Sequence, residues 1–188
     1  KIFTRAANGL DAPLVSVEVH ISGGLPCFSI VGLPEGAVKE SKDRVRSALM
    51  NSKYRFPAQR ITVSLAPANL PKSGGRYDLG IALGLLVASG QLKPAKDLEV
   101  FEFYGELGLD GAVRGTEGLL PALVQGFSSN HHLLIPEENI DESALVSEAN
   151  IYPCHHLLQV CGYISGTSEM NKLQIKEVSS DNYKLDFS

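Results

Sequence analysis

The residues best suited to chemistry sit in one loop, Pro71-Lys72-Ser73-Gly74-Gly75-Arg76-Tyr77, with Asp78 following. Lys72 beside Ser73 has the composition of a serine–lysine pair. A nucleophile needs a base oriented onto its hydroxyl, and loop neighbours seldom place one side chain to deprotonate the other. Lys72 and Arg76 put two cations in the loop, and the planar fork of Arg76 suits phosphate or carboxylate. Gly74 and Gly75 open left-handed backbone conformations to it. The favoured reading is structural: Asp78 caps the next helix and pairs with Arg76. The alternative is that the loop is a working surface that meets DNA or the acidic surface of an adjacent subunit.

Lys39, Lys42 and Arg46 fall at i, i+3 and i+7, one face of a helix, with Lys53 and Arg55 beyond. Such a face can track phosphates; a solvated, salt-bridged surface is the favoured reading. Cys154, His155, His156 and Cys161 lie close together, with His131 and His132 upstream. A structural zinc takes four convergent ligands. Adjacent histidines diverge and no C-x-x-C is present, so buried thiols and surface histidines are expected, without a metal. No G-x-x-x-x-G-K-[ST] occurs, the loop whose amides and lysine cradle nucleotide phosphates. Gly105, Gly108 and Gly111 recur every third position and fit a hairpin. No catalytic residue and no bound cofactor are expected in this chain.

The elements that position these residues belong to a chain of 188 residues, long enough for one domain with its own core. Net charge is −4, which excludes a basic nucleic-acid-binding domain by bulk charge. The charge is uneven: residues 39–60 hold seven basic and two acidic residues, and residues 137–188 hold nine acidic and three basic. Three cysteines, an odd and sparse count, argue against a disulfide scaffold and for a reducing, cytoplasmic setting. No apolar run reaches the roughly 18 residues of a membrane helix, so no membrane partner is expected.

Residues 14–22 alternate, with Val15, Val17, Val19 and Ile21 on one side: a half-buried strand. Gly23-Gly24 ends it, and residues 27–31 read as its hairpin partner. A helix is expected over 35–52, with Val38, Val45, Ala48 and Leu49 as its apolar stripe and with Lys39–Asp43 and Glu40–Arg44 as supporting pairs. Further strands are expected at 60–65, 100–105, 132–135 and 151–153. Further helices are expected at 78–89, 117–127, 137–147 and 155–164, and a Gly-rich hairpin at 107–115. Residues 1–165 make the domain; 166–188 read as a linker or tail.

Three motifs in order, Val31-Gly32-Leu33-Pro34-Glu35 with Arg44-Val45-Arg46-Ser47-Ala48, then Asn69 through Leu79, then Gly105-Glu106-Leu107 with Gly111-Ala112-Val113-Arg114-Gly115, resemble one family. It is the N-terminal domain of magnesium-chelatase-like AAA+ proteins of the ComM/YifB type. The resemblance implies that a AAA+ ATPase module, with ATP and Mg²⁺, follows in a longer protein. It implies a hexameric DNA motor for branch migration in natural transformation, with its own AAA+ module, neighbouring subunits and DNA as partners. It makes Gly32, Pro34, Gly74, Gly75, Asp78, Gly105, Glu106 and Gly115 structural, and Lys72, Arg76, Lys39, Lys42 and Arg46 candidate contacts.

Pro71-Lys72-Ser73-Gly74 and Gly105-Glu106 also resemble, more distantly, the Lon-type peptidase domain. That implies an α/β (α+β) two-layer fold, a mixed sheet with helices packed on it, often with a left-handed crossover. The peptidase serine would fall near Tyr77 or Asp78 and its lysine near Leu120, so the dyad is missing. A Lon-like peptidase or peptide-binding domain is the alternative function. With no phosphate loop, calorimetric titration of this chain with Mg-ATP is expected to give no saturable heat. Micromolar binding would contradict that expectation.

Overall fold

The alternation of the sequence builds a seven-stranded mixed sheet in the order β3-β4-β2-β1-β5-β8-β9, plus a two-stranded ribbon β6-β7. The computed structural model describes residues 1–174. The strands are β1 (Ile2–Arg5), β2 (Leu14–Ser22), β3 (Cys27–Val31), β4 (Arg60–Ala66), β5 (Phe101–Phe103), β6 (Glu106–Leu107), β7 (Val113–Arg114), β8 (His132–Pro136) and β9 (Asn150–Cys154). The helices are α1 (Gly36–Lys39), α2 (Ser41–Asn51), α3 (Asp78–Ala88), α4 (Leu120–Ser128), α5 (Ile140–Ser143) and α6 (Leu157–Ser165). The fold class is thus α/β, a mixed sheet with helices packed on it.

One sheet face carries Val15, Val17, Ile61, Val63, Leu65, Phe103 and Leu134, all buried in the main core with residues of α2, α3 and α6. Their spacing of two along each strand puts them on that face. The opposite face is covered over β5, β8 and β9, where Leu119, Ala122 and Leu123 pack on Leu133 and Ile151. Over β2 and β4 that face carries Glu18, His20, Thr62 and Ser64, exposed or half-buried. The sheet is therefore two layers deep at the β3 end and three layers deep toward β9.

The stripe on α2 forms as the period requires, with Val45, Ala48 and Leu49 fully buried. α3 is apolar all round and sealed between β2, β1 and α2. Gly80 and Gly84 let it approach the sheet, where Val19 and Ile2 pack against them.

Three expectations are corrected, and one strand is added. β2 and β3 do not form a hairpin: β4 lies between them, antiparallel to β2 and parallel to β3. The three inward residues of β4 are fully buried, whereas Phe28 and Ile30 of β3 are only half-buried, so the more apolar strand takes the inner place. Residues 2–5 form a central strand, β1, whose four residues show too little alternation to mark it in the sequence. The helix expected at 35–52 breaks at Glu40 into α1 and α2. The helix expected at 137–147 shrinks to a 3-10 turn and the four residues of α5. There Asn139 and Ser143 turn their side chains onto the backbone of Thr116 and Ile140, bonds that compete with helix continuation.

The linker expected at 166–188 falls partly outside the described residues, which end at 174. Within them Met170 is buried, and Leu173 N–H donates to Ile151 O at 2.7 Å, along the outer edge of β9.

At Gly32 φ is +107° and a Cβ would stand far closer to the Leu65 carbonyl oxygen than van der Waals contact allows, and that backbone atom cannot yield. Gly32→Ala is expected to lower unfolding free energy by more than about 2 kcal/mol in urea melts. Gly36→Ala, where nothing lies within 4 Å of an added Cβ, is the control and should change it by less than about 0.5 kcal/mol.

Candidate functional site

The loop before α3 is held from three directions, each a segment that the sequence had marked. The first is the turn after β3. Lys72 N–H donates to Leu33 O at 3.1 Å, and Glu35 N–H donates to Lys72 O at 2.8 Å, a bridge that spans Pro34. The Lys72 side chain runs inward with no solvent exposure, and its Nζ donates to Gly32 O at 2.6 Å and to Pro67 O. Burial pushes its pKa down.

The second direction is α2. Asp78 is the first residue of α3 and has no exposure; Tyr77 occupies the cap position, without a side-chain cap. Asp78 instead accepts from Ser41 Oγ at 2.5 Å and from Arg44 Nε at 2.6 Å and Nη2 at 3.1 Å. The third direction is the ribbon, from which Leu107 N–H donates to Asp78 Oδ2 at 3.1 Å. Burial pushes the Asp78 carboxyl up, against the pull of Arg44 and Ser41. The bond to Asp78 pushes the Arg44 guanidinium up in turn. Leu79 N–H donates to Gly105 O at 3.2 Å, Gly105 N–H donates to Arg76 O at 3.3 Å, and the Glu106 side chain packs where a Cβ on Gly75 would stand.

Arg76 is 4% exposed and folds back, Nη2 donating to Glu117 O at 2.7 Å. The two cations expected on a working surface are thus drawn inward. The expected cap and Arg76 partner of Asp78 are replaced by Arg44, Ser41 and Leu107. Arg76, Ser73, Glu106 and Thr116 line a polar cavity of about 390 Å³, with Arg76 Nη1 and Thr116 Oγ1 left without partners in its wall. Gly74 is exposed at its rim, and Gly115 N–H donates to the Glu138 carboxylate at 2.9 Å.

Tyr77, Asp78 and Leu120, the positions where the resemblance to Lon-type domains would put a peptidase dyad, form no nucleophile–base pair. Tyr77 is fully buried with its hydroxyl unpartnered, and burial pushes it up to about 12. Asp78 is consumed as above, and Leu120 is aliphatic. Cys154 is buried, with Sγ donating to Ile135 O at 3.2 Å, while His155 turns to Glu137 and His156 to Asp110 O. Burial pushes the Cys161 thiol up to about 11. Among the described residues no group of three or more His, Cys, Asp or Glu converges as metal ligands would.

The three cations expected on one helix face are divided by the break at Glu40: Lys39 ends α1, and Lys42 and Arg46 lie on α2. Lys39 and Arg46 are exposed, and Lys42 is half-buried. The expected Glu40–Arg44 pair forms at 3.6 Å. Among the described residues none of Lys39, Lys42 and Arg46 forms an ion pair. The Arg46 guanidinium lies 5.3 Å over the Phe56 ring, which meets Phe28 at 6.0 Å. With Cys27 and Lys42 these residues line a cavity of about 300 Å³ against β3.

Residues 17–139 match the protein family described as subunit ChlI of Mg-chelatase. That span holds every partner of Lys72 and Asp78. The chain belongs to the Mg-chelatase-like AAA+ family. It is 50% identical over 169 residues to competence protein ComM of Haemophilus influenzae, covering 90% of this chain and 33% of that protein. It is 45% identical over 185 residues to the uncharacterised protein YifB of Salmonella typhimurium, covering 98% of this chain and 36% of that protein. It is 38% identical over 169 residues to an uncharacterised protein of Mycobacterium bovis, covering 89% and 33%. The chain spans about a third of the length of the curated relatives it matches.

Sequence reasoning missed a second polar cluster. Glu102 of β5, with no exposure, accepts from Arg5 Nη2 at 2.8 Å, from the Tyr104 hydroxyl and from His131 Nδ1 at 2.8 Å. Arg5 and Glu102 stand 97 residues apart, beyond any local pattern. Arg44 could have been singled out, since it breaks the i, i+3, i+7 row of exposed cations.

Lys72→Met keeps most of the apolar stem but leaves Gly32 O and Pro67 O without a donor, so a loss of about 1–3 kcal/mol is expected at neutral pH. The lowered pKa of Lys72 means that the unfolded chain holds this proton more tightly than the fold does. Its contribution therefore grows as pH rises through the folded value toward the ordinary 10.5. Urea melts from neutral pH to pH 10.5 should show that rise in the parent and a flatter profile in Lys72→Met.

Proposed function

We propose that this chain is the non-catalytic N-terminal part of a hexameric AAA+ DNA motor. In this reading the whole protein drives branch migration when incoming DNA recombines in natural transformation, and this part serves subunit assembly. The observation that carries the reading is the fate of the loop 71–78. Lys72, Arg76 and Asp78, the groups that could have done chemistry there, are spent on internal contacts. What remains for function is surface, and the displayed cations are Lys39 at the end of α1 and Lys42 and Arg46 on α2.

The printed name of the Haemophilus influenzae relative, a competence protein, supports the process. ATP and Mg²⁺ belong in this reading to a AAA+ module elsewhere in the longer protein, which also supplies the ATPase and helicase activity. Among the described residues no helix is long and apolar enough to cross a membrane, which accords with a cytoplasmic motor.

The test is Lys39→Ala/Lys42→Ala/Arg46→Ala in the longer protein. The expected result is a fall in ATP-dependent assembly, read by sedimentation, with nucleotide affinity unchanged. If assembly is intact while DNA affinity falls, the face engages DNA instead. Three lost phosphate contacts would then flatten the log–log salt dependence on duplex by about 2.7. Full assembly with unchanged DNA binding would overturn both uses of the face.

A further inference from the structure

The unequal charge of the sequence becomes a spatial separation in the fold. Residues 39–60, with seven basic and two acidic residues, form α2 and the start of β4 beside the edge strand β3. Residues 137–174, with six acidic and one basic, form α5, β9 and the segment beyond α6. β3 and β9 are the two opposite edges of the seven-stranded sheet. Six strand spacings separate them, roughly 29 Å at about 4.8 Å each. That exceeds the screening length of about 8 Å at physiological salt, so the two ends do not neutralise each other within one molecule.

The two edges also differ in cover. The outer side of β9 already receives Leu173 N–H on Ile151 O, and Lys172 Nζ reaches Asn150 Oδ1 at 2.8 Å. Among the described residues no strand pairs with the outer side of β3. The basic end offers Arg46 stacked on Phe56, and at the end of β3 and just beyond it Val31 is 47% and Leu33 53% exposed. The acidic end offers exposed Asp141 and Glu148, with Leu145 between them in the chain and 75% exposed. Among the described residues neither acid forms an ion pair.

We infer that copies of this chain associate head to tail, the basic β3–α2 end of one seated on the acidic α5–β9 end of the next. This rests on the assembly reading above and names the partner of the α2 face. A two-fold contact between β3 edges would bring Lys42, Arg46 and Arg60 of both copies together, and like charges oppose it. A contact between unlike ends is heterologous, the kind that closes into a ring when its rotation permits.

Charge reversal tests it on the chain itself. Lys42→Glu/Arg46→Glu makes both ends acidic; Asp141→Lys/Glu148→Lys makes both basic. All four side chains reach the surface, and matching thermal melts confirm that each variant is folded. By sedimentation equilibrium, the parent should self-associate in about 0.05 M salt and weaken at least about tenfold in about 0.5 M salt. Each reversed variant alone should be at least about tenfold weaker than the parent, and an equimolar mixture of the two should regain association. A parent that stays monomeric in both salts, or a mixture that does not regain association, overturns the inference. A reversal at the acidic end that leaves association intact also overturns it, in favour of contact between like ends. If reversal fails to matter while the Lys39→Ala/Lys42→Ala/Arg46→Ala motor still cannot assemble, the assembly reading stands and only this pairing falls.

Discussion

A carboxylate with no access to water must have donors for both oxygens, and Asp78 draws its donors from α2 and from the β6–β7 ribbon. Removing any one of them would leave part of a buried charge unpaired, which is far more costly than losing a surface pair. The rest of the site depends on this requirement. It fixes the start of α3, and α3 is the helix sealed against β1 and β2. It fixes the facing of α2, since Ser41 and Arg44 point inward and Lys42 and Arg46 are left outside. Lys72 does the same work on the other side of the loop, tying it to the turn at Gly32.

Much of the fold could be read from the sequence where the period was long. The nine residues of β2, the seven of β4 and the apolar stripe of α2 stand where alternation and helical spacing put them. Strand order was harder to read. Gly23-Gly24 between two short apolar runs reads locally as a hairpin turn, and only the stronger burial of β4 decides that it comes between them. β1 was invisible because its four residues earn their place by pairing with β2 and β5, partners remote in sequence.

The candidate site was legible as a place, and a structural role for Asp78 was legible too, with partners other than those the structure gives it. The three sequence motifs do converge, and the loop 71–78 is their meeting point. Lys72 and Arg76 look like surface cations in a Gly-rich loop because composition carries no burial. Their carbonyl partners, Gly32 O, Pro67 O and Glu117 O, belong to backbone and leave no side-chain signature. Arg44 and Arg46 lie two residues apart on one helix, yet one is an internal ion-pair partner and the other is displayed. Helical spacing separates them, and only the position of Asp78 says which is which.

The central claim is that the family motifs are joined by a buried, charge-matched contact. A double-mutant cycle on Arg44→Met and Asp78→Asn, followed by urea unfolding, tests it most directly. The account predicts large single losses and a coupling of about 2 kcal/mol or more, because either change alone strands its partner. Losses that add within about 0.5 kcal/mol would contradict it, since two groups that act independently do not form the joint.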